Sequence, residues 1–167
     1  MIDAIKNRRS IRKFQKEKPV SEEQLNLLLE AAMLAPSARN SRPWEFIVIT
    51  KRELLDEIAR IHPNASMCKT ATAAIVVVAI PQIGIVEGYF PQDCGAATQN
   101  ILLAASELGL GTCWCGVYPK DERIASLSKL LNISAPGIPM NIIAVGVPDE
   151  SPEQRGFFEA DKVTFLK

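Results

Sequence analysis

The chain has 167 residues, 47% apolar and 23% charged, and its 19 basic and 19 acidic side chains balance to a net charge of zero. That length suits one domain around one core, and a balanced surface argues against the general attraction to polyanions that nucleic-acid binding requires. The longest apolar run, AAIVVVAI at residues 73–80, falls far short of the roughly 20 residues of a membrane span. The N-terminus meets charge at Asp3 and has no apolar leader segment, so the expectation is a cytoplasmic protein.

In chain order, a short helical stretch leads into RRSIRKF, residues 8–14, in which Arg8, Arg9, Arg12 and Lys13 are basic. A local cluster in a balanced chain suggests a local anionic target; a solvated basic turn is the alternative. SEEQLNLLLEAAMLAP reads as a helix. Ser21 caps it, Gln24 completes a capping box, Leu25, Leu28, Leu29, Ala32 and Met33 share one face, and Pro36 ends it. After the polar loop SARNSRP, WEFIVIT reads as a strand, and KRELLDEIARI as a second amphipathic helix through Leu54, Leu55, Ile58 and Ile61. AAIVVVAI, apolar throughout, is a strand buried on both faces.

QDCGAATQNILLAASEL, residues 92–108, is alanine-rich and apolar around most of its circumference, so it calls for cover on every side, and a partner subunit would supply what a chain this short does not. Gly109 and Gly111 close it. TCWCGVY is the next strand, KDERIASLSKLL a surface helix through Ile124, Leu127, Leu130 and Leu131, and MNIIAVGVP a fourth strand. In the polar tail KVTFL suggests a fifth. Strands separated by helices predict an α/β layout, yet two helices precede the first strand, and no G-x-G-x-x-G or G-x-x-x-x-G-K-[ST] follows any strand.

Cys68, Cys94, Cys113 and Cys115 read as reduced core thiols. Cys113 and Cys115 would share one face of a strand with Cα atoms roughly 6.5 to 7 Å apart, at the limit of disulfide reach. No zinc spacing is present, and the only histidine, His62, lies far from them in sequence. No metal is expected.

RRSIRKF, then APSARNSRPWEFIVI, then ELGLGTCWCGVYP, then Arg155 near the C-terminus stand in an order and spacing that resembles the FMN-dependent nitroreductases and flavin reductases, over nearly the whole chain. The resemblance implies an α+β fold with a central, mostly antiparallel sheet flanked by helices. It implies a single domain over residues 1–167, whose C-terminal arm from about residue 150 crosses to a partner subunit, in an obligate homodimer with two FMN sites at the interface. By position in the motifs, Arg8, Arg9 and Ser10 would hold the phosphate and ribityl chain, with Arg155 completing the phosphate site. Arg12 would lie near N1 and O2 of the isoalloxazine, where a fixed cation favours the reduced ring. Pro36, Ser37 and Asn40 would approach the ring from the partner, and Trp114, Cys115 and Gly116 would lie beside it, with a backbone N–H near Gly116 directed at N5.

Read without the resemblance, PSARN is equally a helix-terminating turn, TCWCGVY a core strand with a glycine bulge, and Arg155 a surface arginine. With it, the expected activity is hydride transfer from NAD(P)H to flavin and on to a nitroaromatic, quinone or flavin acceptor by a ping-pong mechanism. No protein side chain acts as acid or base, so no catalytic residue is expected. The alternatives are a specialised flavin reaction on the same fold (fragmentation, dehalogenation or dehydrogenation) or a flavin-binding module without turnover. Three departures from the family pattern stand out. Arg42 occupies a position commonly held by glutamine, Glu153 one commonly basic, and PQIGIVEGYFPQD at residues 81–93 leaves little room for the helical insertion of larger members.

Overall fold

The structure, a computed structural model, describes residues 2–81, 88–153, 156 and 158–167. Helices α1 (Ile2–Asn7) and α2 (Glu22–Met33) precede β1 (Trp44–Ile49). Then come α3 (Arg52–Ile61), β2 (Ala73–Ala79), α4 (Phe90–Glu107), β3 (Gly111–Gly116), α5 (Asp121–Leu131) and β4 (Ile138–Gly146). The capping box at α2 forms as its sequence predicts. Ser21 Oγ accepts from the Gln24 amide at 3.1 Å, and Gln24 Oε1 accepts from the Ser21 amide at 3.1 Å, which satisfies two helix-end donors reciprocally. Leu25, Leu28 and Ala32 are buried beneath it. Met33, expected on that face, is 44% exposed.

The four strands form one sheet in the order β1-β2-β4-β3, antiparallel at each pairing. The fold is therefore α+β. The α/β expectation fails for a definite reason: β2 and β3 do run in the same direction with α4 as their crossover, but β4 inserts between them antiparallel to both. Pro139, without an amide hydrogen, enters β4 where the register with β2 shifts between Val77 and Val78. The expected fifth strand does not form: Lys162 ends a short 3-10 turn (Ala160–Lys162), and residues 163–167 pair with no strand among the described residues.

Every residue of β2 is buried, as its unbroken apolar run requires. Alternation then divides the core in two. Ile75, Val77, Ile143 and Val145 face α2 and α4, meeting Leu28, Ala32, Ala97 and Ile101. Val76, Val78, Ile142 and Ala144 face the other way, onto Leu55 and Ile58 of α3, Leu127 of α5, and Ile11 and Phe14 of the N-terminal segment. Each fully buried Ile, Val or Leu contributes roughly 1.5–3 kcal/mol. Helix α4 buries Cys94, Ala97, Thr98, Ile101, Leu102 and Ala105, while Ala96, Leu103 and Ala104 on its remaining circumference are only half-buried.

Candidate functional site

The basic stretch is held down by its apolar residues. Ile11 and Phe14 are buried and sit directly on two glycines, Gly111 of β3 and Gly146 of β4, which face each other in the register. A Cβ at Gly111 would come within 2.9 Å of Ile11, and one at Gly146 within 2.8 Å of the Phe14 ring, so both positions require glycine for this close approach. The Ile11 amide donates to the Thr112 carbonyl and the Gln15 amide to that of Val147, each at 2.9 Å. Arg8, Arg9 and Ser10 are thereby delivered to the start of β3, where Ser10 bridges Thr112. There Arg8, Arg9, Ser106, Thr112, Glu150 and Ser151 are among the residues lining a cavity of about 210 Å³. Arg9 Nε is buried with no hydrogen-bond partner among the described residues, and a buried guanidinium N–H without an acceptor favours an anionic occupant.

At the other end of β3 lies a second cavity, about 200 Å³, with Pro91, Gly95, Trp114, Gly116, Tyr118 and Asn141 in its walls. Residues 112, 114 and 116 point to the same face of the strand, and four residues of strand separate its ends by roughly 13 Å. Trp114 is 42% exposed and Tyr118 38%. Tyr118 is buttressed edge-on by Phe90, with ring centroids 5.7 Å apart. Gly116 is the open point, since a Cβ there would meet nothing within 4 Å. One strand face thus joins a cationic cavity to an aromatic one, suited to an elongated ligand with an anionic end and a flat apolar end.

The expected site residues divide accordingly. Arg8 and Arg9 line the first cavity, Ser10 flanks it, and Trp114 and Gly116 line the second. Cys115, between them in sequence, points into the opposite core layer and is buried there. Arg12 is exposed and lines neither cavity; its amide, with that of Lys13, donates to the Glu150 carboxylate. Pro36, Ser37 and Asn40 also line neither. Their loop lies beside the N-terminal turn of α4, where the Ala38 amide donates to Asp93 Oδ1 at 3.0 Å and the Arg42 amide to Ser37 Oγ at 2.9 Å. Arg39, Asn40 and Arg42 all adopt left-handed backbone (φ 52, 53 and 48°), a conformation that persists when surrounding contacts over-determine it. Arg155 falls outside the described residues, as do residues 82–87. Thr112, Ser106 and Glu150 at one cavity and Tyr118 and Asn141 at the other were not singled out from sequence. Tyr118 carried a signal, an aromatic residue just past the glycine of β3.

All four cysteines are free and buried. Burial pushes the Cys68 and Cys94 thiols up to about 12. The Cys113 and Cys115 thiols influence each other: the interaction lowers the pKa of Cys113 and raises that of Cys115. Among the described residues no group of three or more His, Cys, Asp or Glu is placed to hold a metal ion, and no helix is long and apolar enough to cross a membrane.

A nitroreductase family model matches residues 5–74 and 63–147. The chain is 44% identical, over its whole length and 87% of the relative's, to a Methanothermobacter thermautotrophicus protein provisionally named NADH dehydrogenase/NAD(P)H nitroreductase. It superposes with TM-score 0.93 and 39% identity on a Clostridium acetobutylicum structure provisionally described as an NADH oxidase, covering 99% of each chain. A third structure, a provisionally named nitroreductase from Desulfovibrio desulfuricans in complex with FMN, matches at TM-score 0.86 and 31% identity, over 99% of this chain and 96% of that one. Sequence and fold together define the lineage. The chain belongs to the nitroreductase family.

Proposed function

We propose that the protein is an FMN-dependent oxidoreductase that draws on NAD(P)H, its flavin lying along β3 with the phosphate toward Arg8 and Arg9 and the ring toward Trp114 and Gly116. The observation that carries this reading is the single strand face linking a buried guanidinium N–H that lacks an acceptor to an open glycine beside exposed aromatics. Bound FMN would supply the redox chemistry, accepting hydride from NAD(P)H at N5 and passing it to a nitroaromatic, quinone or flavin in ping-pong order.

The chain's residues bind and orient. Arg8 and Arg9 offer planar donors to phosphate oxygens, and Ser10 adds a hydroxyl. Arg155 joins them in this reading. Arg12 supplies positive charge near the pyrimidine edge of the ring. Trp114 walls the ring, and at Gly116 the backbone can approach it because no side chain intervenes. No side chain acts as acid or base. Glu150 shares the cationic cavity, where its carboxylate is occupied by the Arg12 and Lys13 amides.

Pro36, Ser37 and Asn40 reach the ring from a partner subunit in this proposal, and the C-terminal arm from about residue 150 crosses the interface. Three features support a homodimer: the half-buried flank of α4, Leu34 at 82% exposure, and a tail in which Phe158, Phe165 and Leu166 are 77%, 77% and 96% exposed. An interface above about 2,000 Å² is expected for a permanent assembly; sedimentation equilibrium returning a flavin-loaded 18.3 kDa monomer would refute it. The function itself is tested by the visible spectrum of the purified protein and anaerobic stopped-flow mixing with NADH and with NADPH. Flavin bands that bleach with either nucleotide are expected. A bound flavin that neither reduces would indicate a carrier module instead.

A further inference from the structure

The Gly116 end of the site is held from behind. His62, 4% exposed, lies just past α3, on the side of the sheet opposite the aromatic cavity. Its Nδ1 accepts the Asn64 amide hydrogen at 3.2 Å, so the ring hydrogen of the neutral imidazole is on Nε2, which donates to the Gly116 carbonyl oxygen at 3.0 Å. Arg123 Nη1 of α5 donates to that same oxygen, also at 3.0 Å. The Cys115 thiol donates to the Asn64 carbonyl at 3.1 Å, which pins the 62–64 turn to β3 at a second point. Immediately beyond, the Val117 and Tyr118 amides both reach the Met140 carbonyl, at 3.0 and 3.1 Å. Glycine is the residue whose backbone most readily drifts, and Gly116 has no side chain to anchor it. Two donors from two different helix-bearing segments converge on its one carbonyl.

We propose that His62 and Arg123 are positioning residues for the flavin site: by clamping the Gly116 carbonyl they fix the backbone against which the isoalloxazine rests. The inference rests on the flavin reading above, and it concerns the ring end of the site alone. Neither residue touches the cavity. Each acts through Gly116, and because both bind one atom their effects are coupled. His62 serves only in its neutral form, since a second ring hydrogen at Nδ1 would oppose the Asn64 amide.

The test compares wild type, Arg123→Met, His62→Phe, His62→Gln and the double variant Arg123→Met/His62→Phe. FMN and riboflavin dissociation constants and melting temperature are measured for each. Backbone amide exchange at Gly116 and Val117 is followed in the flavin-free proteins. Arg123 is partly exposed on a surface helix, so its variant folds even if a His62 variant does not. Arg123→Met and His62→Phe are expected to weaken FMN and riboflavin equally, about tenfold for one lost hydrogen bond, and to speed exchange at Val117. His62→Gln places an amide donor near the Nε2 position and restores both. The double variant departs from the sum of the singles. A folded Arg123→Met protein with wild-type flavin affinity and exchange would overturn the proposal, as would a His62→Gln protein as impaired as His62→Phe. A wild-type protein that binds no flavin, while its clamp variants still speed amide exchange, would sink the flavin reading and leave the clamp as a purely structural device.

Discussion

The two sides of β3 have opposite characters. On the side facing α3 and α5, Cys113 and Cys115 are sealed into a core with Ile58, Cys68 and Leu127, and the 62–64 turn and Arg123 fasten the strand's end. On the side facing α4, Thr112 borders a cationic cavity, Trp114 is 42% exposed, and a Cβ on Gly116 would meet nothing. The same six residues thus serve packing on one side and, in the proposed reading, flavin binding on the other. The lesson is that an open binding face is rigid only to the extent that the opposite face is closed.

The strand's terminal glycines provide the sharpest way to break that contrast, because one serves each purpose. Gly116→Val adds a side chain where the chain itself leaves space, so melting temperature should hold within a few degrees while FMN affinity falls on the order of a hundredfold, the upper range for overfilling a fitted site. Unchanged flavin binding would remove the ring from this end of β3. Gly111→Ala should do the reverse and cost roughly 1–3 kcal/mol of stability. The atoms it meets are Ile11 Cβ and both of its branches at 2.9 Å, and a β-branched carbon cannot swing aside without moving backbone. Denaturant unfolding measures it, and a variant as stable as wild type would contradict the account of how the basic stretch is seated.

A smaller effect is expected at Arg12. Arg12→Ala should leave the fold intact and lower the flavin's midpoint potential, which spectroelectrochemistry reads. An unchanged potential would return Arg12 to the status of a solvated turn residue. Smaller still is the pH response of the closed side. Burial depresses the His62 pKa below its ordinary value of 6.5, so the unfolded chain takes up this proton first. The stability it contributes is complete above about pH 6.5 and declines as pH falls below that value. His62→Gln should flatten this part of the acid limb in chemical denaturation, and an identical limb would show that another group governs it.

Local structure was legible wherever the chemistry is local. The Ser21 and Gln24 capping box and the uninterrupted β2 run fold as their sequence predicts, because caps and apolar periodicity act over a few residues. The sheet order was not, since nothing within MNIIAVGVP records that it inserts between β2 and β3. Arg8, Arg9 and Gly116, which line the two cavities, could be singled out through motif order. The link from His62 to Gly116 could not, for it joins positions 54 residues apart through a backbone carbonyl that leaves no mark on residue identity. Met33 and KVTFL misled in the same way. Their apolar character is real, but Met33, Val163, Phe165 and Leu166 all lie exposed.

The central claim, one flavin along β3 with its phosphate at the guanidinium end, is tested most directly by titrating wild type and Arg9→Ala with FMN and with riboflavin, which lacks the phosphate. The account predicts that wild type prefers FMN by roughly 10- to 100-fold, the worth of hydrogen bonds to a charged group. It predicts that Arg9→Ala loses most of this preference while its riboflavin affinity stays at the wild-type value. A preference for FMN undiminished in Arg9→Ala, or a riboflavin affinity that falls in step with that for FMN, would contradict it.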